Sequence, residues 1–569
     1  MRLSRFLPCL LSLSLISLAA CAQREHNQNP PVTAQASKED ARKTAARNHW
    51  VDSIYNHLNQ QERIGQLFMV AAYSGGKNFN QPDIERLLRN RQIGGLIFMQ
   101  GGAGRQAALT NHYQQLANVP LLIGMDAEWG LGMRLDSIQN FPRQMMLGAA
   151  NDSMLVFRMG ELIAAQCQRL GVHIDFAPVV DINNNPNNPV ISFRSFGENK
   201  HLVSRLAIAY MNGLQSKGVM ACAKHFPGHG DVSVDSHKDL PVINKSKAEL
   251  DTLELYPFRQ LIKAGVQSIM VAHLSIPALE KEPNVPTTLS KNTITGLLKN
   301  EMGFEGLIFT DAMNMQGVAK YFPAGEADYR AFVAGCDVLL FSQDVSASIA
   351  KIDEAVKSGR ISQAELEQRV KKILRAKYQA GLAENKIIAV AGATEDLNKN
   401  TPAFNAAVAR KALTLARDEN QILSRLKNKE AKVAYVAVNG KLDEEAANTL
   451  KSNFPQLKVF ELSKSGSASF QQQLKNFDAV IVGIHGLPLY PSKTFGLSEV
   501  QRNFLNAASG MNHTLVALMG NAYAAKMCCK AKSLIVGFED NQWTQQALAE
   551  ALTGKLTPCG TLPVHSGCL

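Results

Sequence analysis

Between about residues 50 and 385, short apolar runs alternate with stretches whose apolar residues recur every three or four positions. The runs are Leu67–Ala71, Gly95–Met99, Leu121–Asp126, His173–Val180, Val219–His225, Ser268–His273, Leu307–Asp311 and Val338–Ser342. Continuous apolar character predicts strands of a parallel sheet buried on both faces. Amphipathic stretches such as Asp152–Leu170, His201–Lys217 and Lys247–Ala264 predict helices between them. Eight such units predict a (β/α)8, TIM-like α/β barrel over residues 47–385. An open doubly wound sheet competes, and the count of eight favours the barrel. Five further runs, Val433–Val438, Leu457–Leu462, Ala479–Ile484, Thr514–Met519 and Leu534–Phe538, predict a smaller three-layer α/β sandwich over 405–569, with 386–404 as linker.

The N-terminus follows a different pattern. Met1–Arg5 holds two positive charges, Phe6–Leu18 is apolar, and Ala19 and Ala20 precede Cys21. That order predicts a signal peptide over residues 1–20, too short to span a bilayer as a helix. Leu18-Ala19-Ala20-Cys21 resembles a bacterial lipoprotein processing box. The resemblance implies cleavage before Cys21, lipidation of that residue and anchoring to a membrane of the cell envelope, as a periplasmic or outer-membrane lipoprotein. Residues 21–46, rich in Gln, Asn, Ala, Pro and charge, are expected to form a flexible tether.

Composition narrows the class. With 569 residues, 46% hydrophobic and 19% charged, the chain has a globular composition and length for two cores. The net charge of +11 is dispersed, without a basic block interleaved with aromatics, so a nucleic-acid partner has no support. Cys167, Cys222 and Cys336 lie in apolar runs and are expected to be buried. Adjacent Cys528 and Cys529 suit neither a zinc pair nor a redox motif, and Cys559 and Cys568 are candidates for a bridge in an oxidising compartment.

The chemistry gathers at strand ends. Asp126, Asp181, His225, His273, Asp311 and Ser342 close or follow barrel strands. Burying them without partners would be costly, so a shared polar pocket at the barrel mouth is expected. The densest stretch runs from Lys224-His225-Phe226-Pro227-Gly228-His229-Gly230-Asp231 to Asp235-Ser236-His237. Pro227, Gly228 and Gly230 make it a loop. His225 and His229 have the spacing of a zinc-binding helix, but the intervening Pro and Gly and the lack of a Glu after His225 argue against a metal. Acid/base chemistry fits better: the Asp235 carboxylate near His237 would favour the charged imidazole. Asp311 at the seventh strand end has the position of a catalytic carboxylate or of a helix cap.

Together these segments resemble glycoside hydrolase family 3, in its bacterial β-N-acetylglucosaminidase branch. Lys224–Asp231 with Asp235-Ser236-His237 resembles the branch's signature loop, and Thr310-Asp311-Ala312-Met313 its nucleophile segment. Asp126-Ala127-Glu128-Trp129-Gly130 with Arg134 resembles the segment that grips sugar hydroxyls, and Arg194-Ser195-Phe196-Gly197 the arginine loop. Gly520-Asn521-Ala522-Tyr523 and Gly560–Val564 resemble parts of the family's C-terminal sandwich. The resemblance implies Asp311 as nucleophile and His237, oriented by Asp235, as acid/base. It implies Asp126, Arg134, Arg194, Lys224, His225 and His273 as sugar ligands, with no cofactor or metal. Trp129 departs from the consecutive glycines common in the branch, so stacking on sugar, narrowing the pocket and plain packing all stay open.

The implied activity is exo-acting, retaining release of terminal β-linked N-acetylglucosamine (GlcNAc) from peptidoglycan fragments or chitooligosaccharides. Phosphorolysis, a β-glucosidase or β-xylosidase, and a non-catalytic glycan-binding lipoprotein are the alternatives.

Overall fold

A computed structural model describes residues 32–568 apart from 237, 385, 465 and 467, with side chains from Asp40 onward. The expected signal peptide, Cys21 and His237 lie outside the described residues. Contacts divide the chain into Met1–His49 and Trp50–Leu569. In the first unit the described backbone is helical, the start of a helix spanning Val32–His57. The expected tether is therefore helical from Val32, where Ala, Gln, Lys, Glu and Arg supply high helix propensity.

In the second unit eight parallel strands follow one another in chain order. They are β1 (Phe68–Ala72), β2 (Gly95–Phe98), β3 (Leu122–Met125), β4 (Ile174–Asp175), β5 (Met220–Phe226), β6 (Ser268–Val271), β7 (Leu307–Thr310) and β8 (Leu339–Leu340). β8 returns to β1 through Phe68–Leu339 and Met69–Leu340, and a Phe309–Val338 bridge joins β7 to the start of β8. The sheet thus curls into the expected barrel. Every residue of β5 is buried, as required of a strand with barrel core on one side and helices on the other. β4 is shorter than its apolar run because Pro178 has no N–H to donate to the ladder. Asp152 and Asn199 accept backbone N–H groups at the starts of the helices Ser153–Arg169 and Lys200–Ser216, which follow β3 and β4.

A second sheet holds β9 (Thr414–Asp418), β10 (Val433–Val438), β11 (Lys458–Leu462), β12 (Ala479–Ile484), β13 (Thr514–Leu518) and β14 (Ser533–Val536). Its order is β9-β14-β13-β12-β10-β11. The five expected strands are parallel, and β9 adds an antiparallel edge against β14. The expected linker carries the helix Ala393–Asn398 and the start of Thr401–Ala412. The latter helix packs on the barrel helix Gln144–Ala150 and on the sandwich helix Gln542–Leu552. Phe404 meets Phe141 edge-on at 5.5 Å, so apolar packing continues from barrel to sandwich.

Cys167, Cys222 and Cys336 are buried thiols, as expected. The bridge differs from the candidate pair: Cys568 joins Cys529, and Cys559 is exposed and unbridged. A Cα–Cα separation of 5.5 Å brings Cys529 and Cys568 within bonding reach.

Candidate active site

At the C-terminal ends of the strands five charged side chains form an alternating ribbon. Arg134 donates to Asp126 at 2.6 Å, and Lys224 donates to the other Asp126 oxygen at 2.8 Å. Lys224 also reaches Glu128 at 2.9 Å, and Arg194 grips Glu128 with two nitrogens at 2.6 and 2.9 Å. Lys224 and Glu128 are buried; Asp126, Arg134 and Arg194 are partly open. Burial alone would raise both carboxyls. The charges of Lys224 and Arg134 overcome it at Asp126, holding that group far below the usual range. Arg194 and Lys224 do the same at Glu128, bringing it to about 2. Burial would likewise lower Lys224, but Asp126 and Glu128 raise it. All three groups stay ionised at neutral pH. Beneath them Asp175 accepts from the Ala127 N–H at 3.0 Å and from the Tyr210 hydroxyl at 3.2 Å. Burial pushes Asp175 up to about 7, against the pull of Lys224.

A second layer orders the histidines. Asp181 accepts from His225 Nδ1 at 2.7 Å and from the His229 backbone N–H at 2.7 Å. Arg194 Nη2 lies 3.4 Å from His225 Nε2, so the ribbon touches the histidine on the side away from Asp181. His229 is buried and pairs with the Ser236 hydroxyl at 3.1 Å. Burial, with His225 alongside, pushes His229 down to about 4. The His229–Ser236 contact ties the start of the loop to the segment carrying Asp235. Gly230 permits this course, because a Cβ there would lie 1.7 Å from the Ile182 carbonyl oxygen.

Asp311 follows β7, half-buried, its Oδ1 accepting from the Ala312 N–H at 2.8 Å. The next helix starts only at Gln316, with Met315 at its cap, so Asp311 does not cap it. Instead it lines a cavity of about 280 Å³ together with Asp126, Arg134, Arg194, Lys224 and His225. Ile97, Met99, Met270 and Leu340 supply apolar wall. The enclosure suits one substituted sugar ring better than a chain.

Of the six expected strand-end groups, Asp126, His225 and Asp311 reach the cavity, and Asp181 stands behind His225. His273 does not line it. Its ring is buried between the Thr288 hydroxyl, at 2.8 Å, and the Ala312 carbonyl, at 3.0 Å, where it braces the turn carrying Asp311. Ser342 bonds Asp328 at 2.7 Å, away from the cavity. Trp129 does not line it either; it packs on Phe193 at 5.9 Å beneath the Arg143 guanidinium. Asp235 is half-buried on the loop, and its charge acts on the Tyr490 hydroxyl. Among the described residues no three His, Cys, Asp or Glu side chains gather as metal ligands.

Glu128 and His229 also line the cavity, although the sequence marks neither as a sugar ligand or a catalytic group. Glu128 stands two positions after Asp126, and that spacing was the available signal. The sandwich also reaches the site's supports. Tyr523 exchanges hydrogen bonds with Asn183 at 2.6 and 3.3 Å, and Asn183 in turn accepts from the Ser192 N–H in the loop that carries Arg194.

Comparison with known proteins agrees with this geometry. The model of the glycosyl hydrolase family 3 N-terminal domain matches residues 60–376, the barrel. Beta-hexosaminidase A of Pseudoalteromonas piscicida is 28% identical over 458 residues, 74% of this chain and 76% of that protein. A beta-N-acetylglucosaminidase/beta-glucosidase of Cellulomonas fimi is 30% identical over 383 residues, 66% of this chain and 67% of that one. The solved family 3 beta-N-acetylglucosaminidase of Paenibacillus sp. str. FPU-7 superposes with a TM-score of 0.73 at 30% identity, covering 90% of this chain and 100% of its own. With the barrel matched along its length and its mouth built around Asp311 and the Asp126–Lys224–Glu128 ribbon, this chain belongs to glycoside hydrolase family 3.

Proposed function

We propose that the protein is a glycosidase releasing terminal β-linked GlcNAc, by a retaining mechanism with a covalent glycosyl-enzyme. The observation that carries this reading is the meeting of Asp311 with an ionised, hydrogen-bonding ribbon in a cavity sized for one sugar. Arg134 and Lys224 donate to hydroxyls while Asp126 accepts from them, fixing the ring for attack. Asp311 bonds to the anomeric carbon as the glycosidic C–O bond breaks, and the departing oxygen takes a proton from His237. His237, oriented by Asp235, then removes a proton from water, which displaces Asp311.

Water is the favoured acceptor. The three cations at the cavity, Arg134, Arg194 and Lys224, are each already paired with Asp126 or Glu128, so an incoming phosphate would compete with those carboxylates. Incubation with synthetic β-GlcNAc and β-glucose glycosides, with and without phosphate, tests this. The expected product is free GlcNAc at a phosphate-independent rate, with little glucose. A phosphate-dependent GlcNAc-1-phosphate would overturn hydrolysis, and faster glucose release would overturn the sugar assignment.

Export and lipidation at Cys21 would hold the enzyme in the cell envelope, where peptidoglycan fragments and chitooligosaccharides supply terminal GlcNAc. Loss of palmitate labelling in Cys21→Ser checks the anchor; unchanged labelling would rule it out.

A further inference from the structure

Arg194 reaches the cavity from the long loop between β4 and the helix Lys200–Ser216. Two residues before it, Ser192 has a φ of 42°, a left-handed conformation that a residue with a Cβ keeps only where its surroundings impose it. The sandwich grips this loop at two points.

The first grip is Tyr523. Its hydroxyl exchanges hydrogen bonds with Asn183 at 2.6 and 3.3 Å, and the Asn183 side chain accepts from the Ser192 N–H at 2.9 Å. Tyr523 lies on a short 3-10 helix, Ala522–Cys528, that runs directly into Cys529. The second grip is the strap Gly560–Cys568, which lies on the barrel through a bond of 2.9 Å from the Thr561 N–H to the Ala149 carbonyl. The Pro563 carbonyl accepts from the Glu198 N–H at 3.1 Å. The Glu198 carboxylate accepts from the His565 N–H at 3.0 Å and pairs with the His565 ring. Gly197 makes room for the strap, because a Cβ there would lie 2.5 Å from the Pro563 carbonyl oxygen.

Three residues beyond His565, Cys568 is bonded to Cys529. The disulfide thus joins the strap to the end of the Tyr523 helix. We propose that it closes a clamp of the sandwich around the Asn183–Glu198 loop, and that Cys529 and Cys568 thereby position Arg194 for the sugar, although neither lines the cavity. This rests on the reading that Arg194 binds the terminal sugar. Opening the bridge lets the two grips move apart, so Arg194 no longer meets the sugar in one geometry. The cost falls on affinity, because the Asp311 turn has its own braces in the barrel. The Thr561 bond and a bond of 2.9 Å from Arg417 to the Cys568 carbonyl stay in place, so the fold survives. Cys529 is exposed and Cys568 half-buried, which leaves the bridge open to a reductant.

The test compares the parent, Cys568→Ser, Arg194→Met and the double variant, each with and without dithiothreitol. An aryl β-GlcNAc glycoside is the substrate and GlcNAc the competitive inhibitor. Dithiothreitol gives the bridge two electrons and two protons, leaving two thiols and its own cyclic disulfide. Reduction of the parent, or Cys568→Ser, should raise KM and the GlcNAc inhibition constant together, by about five- to tenfold, and change kcat less than about twofold. Cys568→Ser should be indifferent to dithiothreitol. On the Arg194→Met background neither change should cost more than about twofold further, because the clamp acts through Arg194. Unchanged constants in the reduced parent and in Cys568→Ser would overturn the proposal. So would an undiminished loss on the Arg194→Met background, which marks a general loosening of the protein. Arg194→Met with the constants of the parent would overturn the sugar-binding role of Arg194 itself, a separate result.

Discussion

Asp311→Ala should abolish turnover, by roughly 10⁴-fold or more, and leave the protein folded. Asp311 is half-buried, and its Oδ1 accepts from the adjacent Ala312 N–H, a bond local to the turn. The turn itself is braced independently by His273, which pairs with the Ala312 carbonyl, and by the Asp311 N–H donating to the Val271 carbonyl at 2.9 Å. Removing the carboxylate therefore takes away the group proposed to meet developing positive charge on the sugar, without removing what holds the backbone. Steady-state rates with an activated aryl glycoside, beside thermal unfolding curves, separate the two effects. Turnover within tenfold of the parent would remove Asp311 from the mechanism.

Lys224→Met should be nearly as damaging, by a different route. Lys224 lies between Asp126 and Glu128 at 2.8 and 2.9 Å, so its loss leaves the buried Glu128 and the partly buried Asp126 carboxylates together with one cation fewer. Breaking a buried ion pair from one side costs about 3–5 kcal/mol, and loss of the sugar contact should cut kcat/KM roughly 100- to 1000-fold. Acid sensitivity should move as well. The folded-state values of Asp126 and Glu128 lie below those of the unfolded chain. Their contribution to stability is therefore present above the ordinary carboxyl range and lost as pH falls through the folded values, near 2 for Glu128. Without Lys224 burial gains weight, both carboxyls rise, and unfolding should begin at higher pH. Adding Glu128→Gln should restore part of the stability and none of the activity. Urea midpoints across pH 3 to 7 check this; a Lys224→Met protein as stable as the parent would refute the electrostatic description.

The barrel was legible because its strands are unbroken apolar runs, a pattern that parallel burial imposes directly. Where the chain departs from that pattern, reading failed for identifiable reasons. Thr414-Leu415-Ala416-Arg417-Asp418 is an edge strand with most residues half-exposed, directly after a helix, so no buried run marks it. The partner of Cys568 is 39 residues away, a choice set by how the sandwich folds and not by spacing. Among the site residues, Asp126, Arg134, Arg194, Lys224, His225 and Asp311 follow from strand ends and motif, and the structure gathers them in one cavity. His273 shares the same sequence signal but turns to the Ala312 carbonyl just after Asp311 and to the Thr288 hydroxyl, which satisfy both ring nitrogens. The arrival of Tyr490 and Tyr523 from the sandwich has no local signature, since it depends on how two domains pack.

Covalent capture tests the central claim most directly: incubation with a slow fluorinated GlcNAc-type substrate, proteolysis, and mass spectrometry of the adduct. The sugar mass should appear on the peptide containing Asp311 and vanish in Asp311→Ala. A sugar attached to another side chain, or steady turnover that never labels the protein, would contradict it.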